Sequence, residues 1–226
     1  MTADRAPGST AAAGLPVPLL AGLGAYGLWG LVPLYFKLVQ AAGADEIIAH
    51  RVVWSVAVLA LVLLLRHRGQ FLVRVRIPAR VARALLLSGA LVAVNWLIFV
   101  YAVNTDRILQ TSLGYFINPL VSVLLGTLVL GERMQRAQGI AVVLAAAGTV
   151  YLAVRIGHPP WLALGLAVSF GLYGLVRKVT DVGPMVGLFW ETLMMMPVAL
   201  LWLLVLDGRG EMIFGTAERS LDLLLI

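Results

Sequence analysis

The sequence predicts an all-α protein that crosses a lipid bilayer several times. Of its 226 residues, 61% are hydrophobic and 12% are charged, whereas a soluble domain carries about 25% charged residues. The apolar residues form runs of about 20, which is the length that an α-helix needs to cross a membrane. A short motif near the N-terminus also returns late in the chain, which indicates an internal repeat.

The spans follow one another after a short polar tail. Residues 1–17 are small and polar, and proline and glycine interrupt them, so we expect a disordered cytoplasmic tail. Seven apolar runs are each expected to form a membrane helix, and an eighth run begins at Leu221. The seven runs are 18–38, 46–65, 83–104, 109–130, 138–154, 161–178 and 185–206.

The basic residues predict the orientation of the helices. Lysine and arginine in short connections stay on the cytoplasmic side of a membrane. One side of the predicted topology holds eleven basic residues: Arg5, Arg66, Arg68, Arg74, Arg76, Arg80, Arg83, Arg133, Arg136, Arg177 and Lys178. The other side holds four: Arg107, Arg155, Arg209 and Arg219. The side with eleven, which includes the N-terminus, is therefore predicted to be cytoplasmic. The net charge of +6 is therefore explained by topology, and no nucleic-acid partner is expected.

The repeated motif predicts two related halves. Residues 25–32 (AYGLWGLV) match residues 169–176 (SFGLYGLV) at five of eight positions, in the first and sixth predicted helices. The repeating unit is therefore five helices, and an odd number of crossings inserts the second copy upside down. We place the first repeat at 18–155 and the second at 156–226. The same shift carries the start of the third helix onto the last residue, so three of ten helices are expected to be absent.

Inverted repeats of this kind are typical of secondary transporters, in which two halves rock about a central site. This pattern predicts transport of a small molecule by alternating access. No metalloprotease motif, nucleophile elbow or phosphate-binding loop is present in the sequence. We therefore expect no enzyme activity and no cofactor, and the partners are the bilayer and a solute of unknown identity. The oligomeric state is open, with a homodimer as one prediction.

Several segments resemble a known transporter family. They are Asp45–Ser55 (DEIIAHRVVWS), Asn95–Asn104 (NWLIFVYAVN), Ser112–Leu120 (SLGYFINPL), Leu130–Met134 (LGERM) and Gly171–Lys178 (GLYGLVRK). These stretches resemble the RarD branch of the EamA transporters, within the drug/metabolite transporter superfamily. The resemblance implies ten helices in two inverted five-helix repeats, a central cavity, transport of small metabolites or drugs, and a bacterial inner membrane. Helices eight to ten of this pattern are expected to be absent from the chain, which puts transport by this polypeptide in question.

Ionisable residues inside the apolar runs are the first site candidates. A charge in the middle of a membrane costs about 2.5–3.5 kcal/mol, so such residues usually face a polar interior and mark a pathway. His50, Arg51 and Glu191 meet this description best, and Glu191 is expected either to pair with Arg51 or His50 or to bind a ligand or proton. Lys37 and Glu46 lie closer to the interface, where extension to the headgroups is the first expectation and a role in the site is the second.

Helical spacing adds polar and aromatic candidates. Residues three or four positions apart share one face of a helix, which places Trp54 below Glu46 and His50, and Arg177 below Tyr173. Trp29 and Tyr173 occupy equivalent positions in the two repeats and are predicted to line the cavity. The further cavity or gating candidates are Asn95, Tyr115 and Asn118.

Two other functions remain open from the sequence. An integral-membrane enzyme is the first, in which His50, Glu191 and Tyr115 perform acid–base chemistry on a lipid-borne substrate. A shortened polypeptide that does not transport is the second.

Overall fold

The computed structural model describes residues 17–156, 159–216 and 219–226. Most of the predicted tail, residues 1–16, lies outside the described residues. The chain forms two compact units, and the boundary falls after Tyr35 within the first helix. The smaller unit contains the first helix up to Tyr35, and the larger unit contains all of the remaining helices.

Helices account for most of the described residues, and their bounds lie within a few residues of the predicted runs. A single 3-10 turn at Arg68–Gln70 follows the second helix. The helices are α1 (Val17–Leu38), α2 (Ala44–His67), α3 (Phe71–Arg74), α4 (Ala79–Asn104), α5 (Ile108–Leu130), α6 (Arg136–Ile156), α7 (Trp161–Lys178), α8 (Pro184–Arg209) and α9 (Arg219–Leu225).

Within the described ranges, six helices are long and apolar enough to cross a membrane: α1, α2, α4, α5, α6 and α8. The sixth predicted span, at 161–178, is also helical and forms α7, but it has only 18 residues and ends in Arg177 and Lys178. Its length and composition therefore place it just outside that group. The eighth apolar run is the short helix α9, which begins at Arg219.

Helices α2 and α8 pack side by side in opposite directions. At the start of α2, Asp45 Oδ2 accepts a hydrogen bond from Trp202 Nε1, at 2.9 Å, in the last third of α8. Farther along α2, Val56 and Leu63 pack against Phe189 near the start of α8. The N-terminal end of each helix therefore lies beside the C-terminal end of the other.

Helix α7 lies between α4 and α5. Asn95 of α4 donates hydrogen bonds of 2.9 Å to the carbonyl oxygen of Leu166 and to Ser169 Oγ, both on α7. On the other side, Leu113 and Ile117 of α5 pack against alanines of α7. Neighbours on two sides therefore position α7, whose apolar stretch is short. The hydrogen bonds from Asn95 reach the middle of this helix.

Close packing between α5 and α7 depends on Gly114. A Cβ atom at this position would lie 3.1 Å from both the carbonyl oxygen of Ala163 and the Cβ atom of Leu166. Small residues at such contacts allow membrane helices to approach closely. The backbone oxygen of Ala163 cannot move aside without shifting α7.

Replacing Gly114 by valine is expected to lower the free energy of unfolding by about 1–2 kcal/mol, because the added atoms overpack the α5–α7 contact. The matched control is Gly148→Val in α6, where a Cβ atom would meet nothing within 4 Å. Unfolding in mixed detergent micelles measures both. Equal stabilities of the two variants would contradict the packing argument.

Candidate functional site

Glu191 is the centre of a buried polar cluster. It lies near the start of α8 with 1% of its surface exposed. Ser88 Oγ of α4 donates a hydrogen bond of 2.6 Å to Glu191 Oε1. Arg177 Nε of α7 lies 3.6 Å from the same oxygen, and Tyr173 lies beside Arg177, one helical turn earlier. We call Ser88, Tyr173, Arg177 and Glu191 the Glu191 cluster; it joins three helices through one carboxylate.

One of the two expectations for Glu191, a pairing with Arg51 or His50, was wrong. Its ionic partner in the structure is Arg177, and the other expectation, a ligand or proton role, stays a prediction. Arg51 instead stacks on aromatic rings, with its guanidinium carbon 4.2 Å from the centre of the Trp96 ring and 5.4 Å from that of Phe36. An arginine over an aromatic face gains cation–π attraction, which is stronger when the group is desolvated.

A second buried carboxylate, Glu46, holds the segment that follows α8. Ile213 N donates to both of its oxygens at 3.0 and 3.1 Å, and Phe214 N donates to Oε1 at 2.9 Å. The Phe214 ring packs on His50, with 4.5 Å between ring centroids. We call Glu46, His50, Ile213 and Phe214 the Glu46 cluster. Glu46 is 1% exposed, so the expectation that it extends to the headgroups was wrong.

The two clusters lie at opposite ends of the α2–α8 pair. Glu46 and His50 are in the first turns of α2, beside the end of α8, whereas Glu191 is near the start of α8. His50 and Glu191 are therefore buried but separate. Tyr115 packs against Phe99, with 6.2 Å between ring centroids. The three residues considered for acid–base chemistry are thus not assembled into one site.

The other candidates occupy varied positions. Lys37 Nζ lies 2.7 Å from Asp106 Oδ1, an exposed carboxylate after α4. Trp54 Nε1 and Asn118 Oδ1 are buried and have no hydrogen-bond partner among the described residues. Trp29 belongs to α1 in the N-terminal unit. The structure thus joins Tyr173 with Arg177 and Glu191, and Glu46 with His50.

Sequence patterns did not single out Ser88, although a signal was present. Ser88 and Asn95 are the two polar side chains without an aromatic ring in the apolar part of α4. They are seven positions apart, or about two helical turns, so they lie on one face. In the structure that face meets α8 through Ser88 and α7 through Asn95. Phe214 was also missed, because nothing local distinguishes an aromatic residue in a short connection.

Comparison with known proteins identifies the family of this chain. The EamA-like transporter family matches residues 17–154, which is more than half of the chain. The chain belongs to the EamA-like transporter family. It is 45% identical to protein RarD of Streptomyces exfoliatus and 44% identical to an uncharacterized transporter of Vibrio cholerae, over 92% of this chain in each case. A chloramphenicol-sensitive protein RarD of Pseudomonas aeruginosa is 30% identical over 85% of the chain.

The chain spans about two thirds of the length of these relatives. The matched share of the relative is 66% for the Streptomyces protein and 69% for the Vibrio protein. No solved structure matches the chain. Family membership and several apolar helices make it a multi-pass bacterial membrane protein of a transporter family.

Proposed function

We propose that the protein is a secondary transporter that moves a small metabolite or drug across the bacterial cytoplasmic membrane by alternating access, with its N-terminus in the cytoplasm. The observation that carries the proposal is the pair of buried carboxylates at opposite ends of α2 and α8. Each one binds groups from other parts of the chain. An alternating-access carrier needs one such closure at each end of its passage.

The two clusters differ in a way that suits gating. The Glu46 cluster fastens a connecting segment to α2 through backbone amides. The Glu191 cluster joins α4, α7 and α8 through side chains alone. Side-chain contacts separate when a helix shifts by a small distance. We therefore assign gating at one end to Tyr173, Arg177 and Glu191, and closure of the other end to Glu46 and His50.

The inverted repeat is part of the same proposal. If α2 and α8 are equivalent helices of the repeats 18–155 and 156–226, their antiparallel packing is what inversion requires. His50 is the seventh residue of α2 and Glu191 is the eighth residue of α8. Ionisable groups thus occupy nearly equivalent depths in the two halves. Tyr115 and Asn118 are proposed to contact the solute, and a homodimer remains a prediction.

Flux in liposomes tests the function. The purified 226-residue chain is reconstituted, and uptake of radiolabelled chloramphenicol is measured, because one relative is named for that drug. Release of a defined mixture of preloaded amino acids, nucleosides and sugars is followed by mass spectrometry. We expect saturable movement of at least one unaltered compound above the rate in empty liposomes.

A matched pair of variants links flux to the gate. Arg177→Met should lower the saturable flux about tenfold. The variant destabilises one closed state by about 1.4 kcal/mol, which changes its population about tenfold. Lys178→Met, at the neighbouring position on α7 where the side chain is 58% exposed, should leave the flux within about twofold. A chemically altered compound would identify an enzyme, and neither movement nor conversion would identify a polypeptide that does not transport.

A further inference from the structure

The two oxygens of Glu191 have different surroundings. Oε1 accepts the hydrogen bond from Ser88 and faces Arg177. Oε2 is buried, and no hydrogen-bond partner for it exists among the described residues. A buried carboxylate oxygen without a partner is unfavourable, because it has lost its water without a replacement. The carboxylate is therefore satisfied on one side only.

The ion pair with Arg177 is also loose. The distance of 3.6 Å between Arg177 Nε and Glu191 Oε1 exceeds the 2.7–3.2 Å of an ordinary N–H···O hydrogen bond. The guanidinium lies against Gly187, where its carbon would be 2.7 Å from an added Cβ atom. Gly187 precedes Glu191 by one helical turn. The position of Arg177 is thus determined by the space above Gly187 as well as by the charge of Glu191.

We infer that Glu191 is the binding site of the coupling proton, with Oε2 as the atom that takes it. This inference rests on the proposed transport function and names its coupling ion. The proton comes from water on one side of the membrane and leaves to water on the other. Binding neutralises the carboxylate and ends its attraction to Arg177, while the hydrogen bond from Ser88 to Oε1 remains available. Departure of the proton restores the pair and the closure of the cluster.

Few other groups influence this site. From α7, Arg177 and Tyr173 face Glu191, and α4 offers the neutral hydroxyl of Ser88. Helix α2 packs on the first half of α8 through apolar side chains such as Val56 and Leu63. Within the described part of the chain, no second carboxylate lies against Glu191. Charge neutralisation at this position therefore falls to Arg177 or to a proton.

The alternative is a permanent ion pair that serves only the fold. In that case Glu191 stays charged throughout, and its oxygens should be fully bonded, because buried pairs are stable only when their remaining hydrogen-bond groups are satisfied. The bare Oε2 and the loose contact with Arg177 disagree with that expectation.

Flux under a pH gradient distinguishes these cases. In liposomes of the whole chain, we expect a pH gradient to drive accumulation of radiolabelled chloramphenicol. Glu191→Gln should abolish this accumulation, whereas its gradient-free exchange of labelled for unlabelled chloramphenicol should fall only about tenfold, the effect expected from losing the same contact in Arg177→Met. The matched control is Glu132→Gln, whose carboxylate also pairs with a basic residue of α7 but is exposed; it should behave as the native chain does.

Each result has a defined meaning. Accumulation that persists in Glu191→Gln, or native flux that ignores the pH gradient, overturns the proton site and leaves the transport function in place. If the native chain moves neither chloramphenicol nor any compound of the preloaded mixture, flux speaks against the transport function, and infrared spectroscopy decides the proton site independently.

Infrared difference spectroscopy of the detergent-solubilised chain detects the carbonyl band of a protonated carboxyl group as the pH is changed. A band that is lost in Glu191→Gln and retained in Glu132→Gln supports the proposal. Gly187→Ala should shift the pH range of that band, since it displaces only the flexible end of Arg177, whereas Gly148→Ala should not. A native chain without a band dependent on Glu191 overturns the proposal.

Discussion

Replacing Glu46 by alanine is expected to lower the free energy of unfolding by about 3 kcal/mol. The carboxylate accepts hydrogen bonds from two backbone amides, those of Ile213 and Phe214. Hydrogen bonds to charged groups contribute about 1.5–3 kcal/mol each, and their loss leaves two amides without an acceptor. Glu46→Gln should be affected less, because one oxygen remains to accept.

The effect should reach beyond the two amides. Phe214 packs on His50, so a segment that detaches from Glu46 also uncovers an aromatic contact. We expect faster proteolysis of the connection between α8 and α9 in Glu46→Ala than in the native chain.

Detergent-induced unfolding in mixed micelles, followed by tryptophan fluorescence, measures the stability of this variant. Glu211→Ala is the control, because this carboxylate lies in the same connection but is 59% exposed and sits 4.0 Å from Arg209. It should change stability by less than about 1 kcal/mol. If Glu46→Ala is as stable as the control, the amide bonds do not contribute to the fold as argued.

Much of the helical framework followed from local properties of the sequence. Runs of about 20 apolar residues lie between charged or glycine-containing connections, and the structure places helices at each of them. The bounds differ where flanking polar residues continue a helix. Ala44 and Asp45 extend α2 before its apolar run begins, and Arg209 extends the end of α8. Hydropathy defines the part of a helix that crosses lipid, and it does not define where the hydrogen-bonded backbone stops.

The long-range contacts of the site did not follow from the sequence in the same way. The partners of Glu46 are backbone amides, which every residue except proline possesses, so no side-chain pattern marks Ile213 or Phe214. Proximity to an interface suggested that Glu46 extends to the headgroups, but a returning segment covers it. Only the packing of α9 and its connection against α2 determines that outcome.

The partner of Glu191 illustrates a different limit. Helical spacing identified Tyr173 and Arg177, and a charge inside an apolar run identified Glu191, but each was identified separately. Pairing them requires the rotation of α7 and α8 about their axes, which depends on close contacts such as those at Gly114 and Gly187. Those contacts are set by the shape of neighbouring helices, and hydropathy carries no information on shape.

A double-mutant cycle on Arg177 and Glu191 is expected to show strong coupling. Arg177→Met should lower the free energy of unfolding by about 3 kcal/mol, because removing one partner leaves a buried charge uncompensated. Glu191→Gln should have a smaller effect, since its amide oxygen still accepts from Ser88. Polar couplings in membrane proteins average about 0.6 and reach about 1.7 kcal/mol, and a buried charged pair should lie at the upper end.

The same cycle on Lys178 and Glu132 provides the comparison. This pair also connects α7 to the end of α5, but its side chains are 58% and 50% exposed, and exposed pairs rarely contribute more than about 1 kcal/mol. The cycle therefore compares two charge pairs that share a helix and differ in burial. If the coupling energy of Arg177 and Glu191 is no larger than that of the exposed pair, the 3.6 Å contact is incidental. A coupling energy near the upper bound would mean that Arg177 and Glu191 act as one unit. A gate that opens when the carboxylate is neutralised requires such coupling.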